Sequence, residues 1–169
     1  MVNLSRMLST LVFSWLMGSY LLLALPVEAV GAEVSMESWG TTEDGQEIQL
    51  YTLRNHQGMV VRLMNYGATV VSVETADRQG QTGNINVGFS KLEDYFLGHP
   101  YFGATVGRYC NRIANGKFSI AGTEYTLAQN NGDHHLHGGT NGYNRVVWTG
   151  RIVRRIGSVG VEFSYLSGD

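Results

Sequence analysis

The 169 residues carry 12 Lys+Arg against 14 Asp+Glu, a formal net charge of −2, which excludes the basic face that phosphate neutralisation demands of a nucleic-acid binder. Charged residues make up 15%, where about 25% is usual, and 22 Gly stand against 2 Pro, which excludes both a disordered tail and a collagen-like repeat. The single cysteine, Cys110, leaves no intrachain disulfide and no Cys-based zinc site, and predicts a small buried apolar residue.

From the N-terminus, Met7 to Val27 holds no charged side chain and follows one basic residue, Arg6. The run ends in Pro26 and small residues, and Val30-Gly31-Ala32 fits a signal-peptidase site, with Val27-Glu28-Ala29 as a second candidate. Residues 1–32 are therefore expected to be a signal peptide. The alternative is an uncleaved membrane anchor, since roughly 20 uncharged residues suffice to span a bilayer. Either way, residues 33–169 are expected to form one domain in an exported compartment, periplasmic or secreted, with no membrane contact once the leader is cleaved.

That region reads as all-β. Ile48, Leu50 and Thr52 alternate after an Asp44-Gly45 turn; Met59, Val61 and Leu63 alternate next; Val70 to Val73 is a continuous apolar run. Lys91 to Tyr95 predicts the one short helical turn. Phe118 and Ile120, then Tyr125 and Leu127, flank a turn at Gly122, and Val146 to Ile156 with Val159 to Leu166 predicts a last hairpin. Asn115-Gly116, Asn131-Gly132 and Asn141-Gly142 are expected to supply positive-φ turn positions. Short strands without long intervening helices indicate a sandwich or barrel rather than an α/β sheet. The chain stops at a turn composition, Ser167-Gly168-Asp169, so a longer protein is expected.

Two segments hold the polar chemistry. In Asn130 to Gly139 three of the five histidines cluster. If extended, His135 and His137 share a face and could hold a metal, but a catalytic metal needs a third protein ligand, and the next carboxylate is Glu162. No metal is expected. His134 reads as a turn residue satisfied by backbone. His137, followed by Gly138-Gly139, reads as a pocket wall, since glycine lets a ligand approach closely and imidazole exchanges protons near neutrality.

The second segment is Gly107 to Phe118. Its arginines lie among Phe102, Val106, Ile113 and Phe118, so one guanidinium at least is expected against the core with a partner. Arg108 reads as structural. Arg112 beside Asn111 offers a donor fork plus an amide, suited to sugar hydroxyls, and Tyr101, Phe102, Tyr143 or Trp148 could supply an apolar platform. A Gly-x-Ser-x-Gly elbow, a phosphate loop ending in Gly-Lys-Ser/Thr and His-Glu-x-x-His are all missing. The adjacent pair Glu93 and Asp94 cannot flank a glycosidic bond from both sides.

Taken in order, Asn65-Tyr66-Gly67-Ala68, Asp77-Arg78, Asn86-Val87-Gly88-Phe89, His99-Pro100-Tyr101-Phe102-Gly103, Gly107-Arg108-x-x-Asn111-Arg112-Ile113 and Leu136-His137-Gly138-Gly139 resemble the aldose 1-epimerase (galactose mutarotase) family. The resemblance runs from about Gly45 to the last residue. It implies a large β-sandwich, the galactose mutarotase-like supersandwich, of roughly twice this mature length, of which this chain is the N-terminal part. It implies interconversion of the α and β anomers of free aldohexoses without cofactor or metal. Asn111, Arg112 and His137 then correspond to substrate-binding residues, with His137 supporting the ring-oxygen side. The family's proton-donating His, a sugar-binding Asp and the Glu base come from its later half. This chain alone is thus expected to hold a partial site and to catalyse weakly or not at all. The rival readings are an exported, non-catalytic sugar-binding module and a hexose-phosphate epimerase. The expected partner is a monosaccharide, with a second chain if the other half is separate.

Overall fold

Five antiparallel strands open the fold: β1 (Glu33–Thr41), β2 (Glu47–Arg54), β3 (Val60–Met64), β4 (Thr69–Ala76) and β5 (Thr82–Asn84), hydrogen-bonded in chain order. A computed structural model describes residues 31–98 and 100–168. The expected targeting segment, apart from Gly31 and Ala32, lies outside the described residues, as does His99. Side chains alternate across a strand, so β2 presents Ile48 and Leu50 to one face and Tyr51 to the other, all three buried.

On the first face Ile48, Leu50, Met64 and Val71 meet Leu92 and Tyr95 of the short helix α1 (Leu92–Phe96), with Trp39, Phe89 and Phe96 packed around them. Burying each such aliphatic side chain contributes about 1.5–3 kcal/mol. The other face is covered by the hairpin β10 (Thr149–Arg155) and β11 (Ser158–Ser164), where Phe163 meets Tyr51 edge-on at 5.5 Å. Gly150 permits that approach: a Cβ there would lie 2.2 Å from the Tyr51 hydroxyl.

Between helix and hairpin run four short strands. β6 (Arg112–Ile113) pairs antiparallel with β9 (His135–Leu136), and β7 (Lys117–Ile120) pairs with β8 (Thr123–Thr126). Phe118 and Tyr125 face each other across β7 and β8 with rings stacked at 5.2 Å.

Several quoted motifs turn out to build corners. Buried Asn65 donates to the Glu47 carbonyl and accepts from the Gln49 amide, tying the end of β3 to the start of β2. Gly67 N–H donates to Val146 and Trp148 N–H donates to Asn65, joining this corner to the approach of β10. Asp77 accepts the amides of Gln79 and Gln81, and the Asn86 amide donates to the carbonyls of Val70 and Val71.

Two expectations are corrected, and one strand is added to those expected. The buried residues of β3 are Val60 and Met64 rather than Met59, Val61 and Leu63; the unbroken register against β2 sets Met64 opposite buried Leu50, which puts the even-numbered residues on the core face, while the shift between Arg62 and Leu63 in the β3–β4 ladder places its extra residue, Val71, in β4. Strand β1, which no alternation announced, is an edge strand with most positions exposed. Gly142 has φ −67, so Asn141-Gly142 is not a positive-φ turn, whereas Asn115, Gly116 and Gly132 do have positive φ.

Candidate functional site

The two polar segments meet through the β6–β9 pairing, with Arg112 opposite Leu136 and Ile113 opposite His135. Asn130 forces this register. Its Oδ1 accepts the Leu136 amide at 2.7 Å and its Nδ2 donates to the Leu136 carbonyl at 2.9 Å, so the side chain acts as a neighbouring strand. Next along the chain, His137 N–H donates to the Asn111 carbonyl at 3.0 Å, and the Asn111 N–H donates to His137 Nδ1 at 3.0 Å. Because Nδ1 accepts, the neutral ring carries its proton on Nε2. Tyr101 meets the His137 ring edge-on at 4.6 Å.

Arg112 donates from Nε to Asn131 Oδ1 at 3.0 Å and from Nη1 to Asn111 Oδ1 at 3.3 Å. The three residues proposed from sequence, Asn111, Arg112 and His137, therefore form one hydrogen-bonded cluster. Arg112 also lines a cavity of about 740 Å³, with Arg108, Ile113, Phe118, Leu127, His135, Gly138 and Tyr143 among its walls. Asn111 and His137 adjoin it through Arg112. No carboxylate is among the described residues that line it.

Gly138 has φ +93, and a Cβ there would lie 1.7 Å from the Gly107 carbonyl oxygen. The close approach after His137, expected of a ligand, is made instead by the Gly107 carbonyl of the second polar segment. It locks the two segments together directly behind the histidine.

The other candidates divide. His134 accepts the Asn115 amide on Nδ1 at 3.2 Å, the backbone satisfaction expected of it. His135 and His137 do not share a face: His135 is buried in β9 with Nδ1 donating to the Ala128 carbonyl at 2.9 Å, while His137 has left the strand at φ +50. Among the described residues no group of three or more His, Cys, Asp or Glu is placed to hold a metal ion. Cys110 is exposed rather than buried, with Sγ 3.9 Å from His137 Nδ1, because the chain reverses at Asn111, φ +64. Both arginines are exposed instead of lying against the core, and each has a partner nonetheless.

Arg108 bonds the Ser167 hydroxyl from Nε at 3.0 Å and from Nη2 at 2.8 Å, and donates to the carbonyls of Ser167 and Gly168. The Ser167 hydroxyl, and then the Arg108 guanidinium, hold the Tyr143 phenol below its ordinary range. Of the proposed aromatic platforms, Tyr143 lines the cavity and Tyr101 touches His137; Phe102 packs on Phe89 and Trp148 on Tyr143 and Tyr165. Asn131, which braces the site, was visible only as a turn former and Asn130 only as the start of the polar segment, because their partners lie across a strand pairing.

The family model described as aldose 1-epimerase matches residues 49–169. Galactose mutarotase of Sus scrofa is 43% identical over 122 residues, covering 72% of this chain and 34% of the relative, and that of Homo sapiens is 40% identical over 134 residues, 79% and 36%. Aldose 1-epimerase of Escherichia coli (strain K12) is 40% identical over 105 residues, 62% of this chain and 30% of that one. The crystal structure of galactose 1-epimerase from Lactobacillus acidophilus NCFM superposes with a TM-score of 0.63 at 29% identity, covering 73% of this chain and 35% of that one. The chain thus spans about a third of the length of the curated relatives it matches. With its family model matched over most of its length and its β-rich fold shared with a solved epimerase, the chain belongs to the aldose 1-epimerase family.

Proposed function

We propose that the protein to which this chain corresponds interconverts the α and β anomers of free aldohexoses, galactose or glucose among them. The observation that carries the reading is the cluster of Asn111, Arg112 and His137 beside the cavity, in a chain of this family. Mutarotation requires a base to take the proton of the C1 hydroxyl while an acid delivers one to the ring oxygen. The bond from C1 to the ring oxygen breaks, the aldehyde rotates, and closure on the other face returns both protons. Arg112 anchors sugar hydroxyls with its fork of N–H donors. His137 turns its Nε2–H to the ring-oxygen side, where it stabilises negative charge as the bond opens. Positioned acid and base groups supply about 10²–10⁴ in rate. With no carboxylate among the described cavity walls, the base is not provided by the site as this chain builds it.

We further propose export, periplasmic or secreted, on the uncharged run from Met7 to Val27. A second reading, a hexose phosphate as substrate, is favoured by one feature: Arg108 and Arg112 both line the cavity and bond only neutral acceptors among the described residues. Polarimetry of freshly dissolved α-galactose separates the readings. The full-length protein should accelerate the approach to equilibrium, and His137→Ala should lower kcat/KM by about 10²-fold. Binding without acceleration by the full-length protein would leave a sugar-binding module, and a marked preference for the sugar phosphate would establish the second reading.

A further inference from the structure

A second cavity, of about 430 Å³, opens at the edge of the five-stranded sheet, between the β1–β2 turn and the segment that leads into β10. Its volume falls within the roughly 300–1,000 Å³ typical of small-molecule sites. Tyr66 and Phe96, edge-to-face at 5.1 Å, form one wall and Tyr165 another. Glu43, Asp44 and Arg145 line the rim. Asp44 is committed to its own turn, accepting from Thr42 and Gln46, which holds its carboxyl below the ordinary carboxylate range. Glu43 and Arg145 are not: neither is in an ion pair or a side-chain hydrogen bond with another described residue.

The cavity therefore presents aromatic surface, an uncommitted fork of donors and an uncommitted carboxylate. The two carboxylates disfavour an anion, and Arg145 disfavours a cation. A neutral polyhydroxylated ring fits all three features, because its C–H face lies on aromatic carbon while its hydroxyls both donate and accept. We propose that this cavity is a saccharide-binding site, separate from the Asn111, Arg112 and His137 cluster, in which Arg145 and Glu43 take the hydroxyls of a neutral sugar. It goes beyond the mutarotase reading, since none of its residues belongs to that site.

The test is an amide NMR titration of the chain with galactose, glucose and maltose, in the native sequence and in Arg145→Ala, Glu43→Gln and Arg112→Ala. Saturable shifts are expected at Glu43, Tyr66 and Val147. They should persist in Arg112→Ala and weaken about tenfold in Arg145→Ala, as loss of a hydrogen bond from a charged group implies. Glu43→Gln keeps the side chain's shape, so its loss of affinity cannot be ascribed to unfolding. Absence of shifts at these residues at millimolar sugar, or shifts unchanged in both Arg145→Ala and Glu43→Gln, would overturn the proposal. Failure of the other site reads separately, as absent shifts at Asn111 and His137.

Discussion

His137 is held from three sides: its backbone amide and its Nδ1 are both engaged by Asn111, and Tyr101 packs against its ring. That leaves Nε2–H as the ring's only donor. Replacing Arg112 by Lys keeps the charge and removes the planar fork, so galactose should bind about tenfold more weakly to Arg112→Lys, measured by calorimetry on the full-length protein. Gly138 tests the support behind the histidine. Gly138→Ala would place a methyl against the Gly107 carbonyl at positive φ, and should destabilise the fold on the order of 3 kcal/mol in urea unfolding. An unchanged midpoint would mean that the two segments are not locked there.

At the scale of elements, the site depends on two strands of two residues each, too short to hold a register without help. Asn130 provides it. In Asn130→Ala both backbone groups of Leu136 lose their side-chain partner, so the Leu136 amide should exchange with solvent much faster, and sugar affinity should fall although Asn130 is not in the proposed sugar contact set. Unaltered exchange would assign the register to the ladder alone. This dependence also explains what the sequence could and could not tell. The hairpins at Gly122 and Gly157 were legible because alternation and turn chemistry are local, and so was the short helix. The face of β3 was not, since both alternating sets from Met59 to Met64 contain apolar residues, and only the pairing of Met64 opposite Leu50 decides which set is buried. Likewise the exposure of Cys110 and the parting of His135 from His137 depend on positive φ at Asn111 and His137, two non-glycine residues from which no such turn was expected.

Over the whole molecule, burial sets an alkaline limit. Tyr51, Tyr66 and Tyr95 are pushed above their ordinary value chiefly by desolvation, so the folded state favours the neutral phenol more than the unfolded chain does. Their contribution is fully present below the unfolded value of 10.0 and is lost as pH rises through the higher folded values. Tyr143 has the opposite sign: its lowered value gives stability that is present above 10.0 and lost as pH falls through the folded value. Ultraviolet absorbance during an alkaline titration should therefore show Tyr143 ionising early, an event removed by Tyr143→Phe, with the buried tyrosines ionising only as the fold opens. Early ionisation of all of them would contradict the packing of Tyr51 under the β10–β11 hairpin.

In the function proposed above, Asn111, Arg112 and His137 form a sugar-binding cluster that precedes and does not complete the catalytic set. The decisive experiment titrates galactose onto the chain while following the His137 imidazole and the Asn111 amide by NMR. Saturable, weak binding is expected at both, abolished in Arg112→Ala, with no acceleration of anomer exchange in the same tube. Galactose that leaves both signals unmoved would rule out the binding cluster, and rapid anomer exchange by this chain alone would rule out a site with no carboxylate among its described walls as its base.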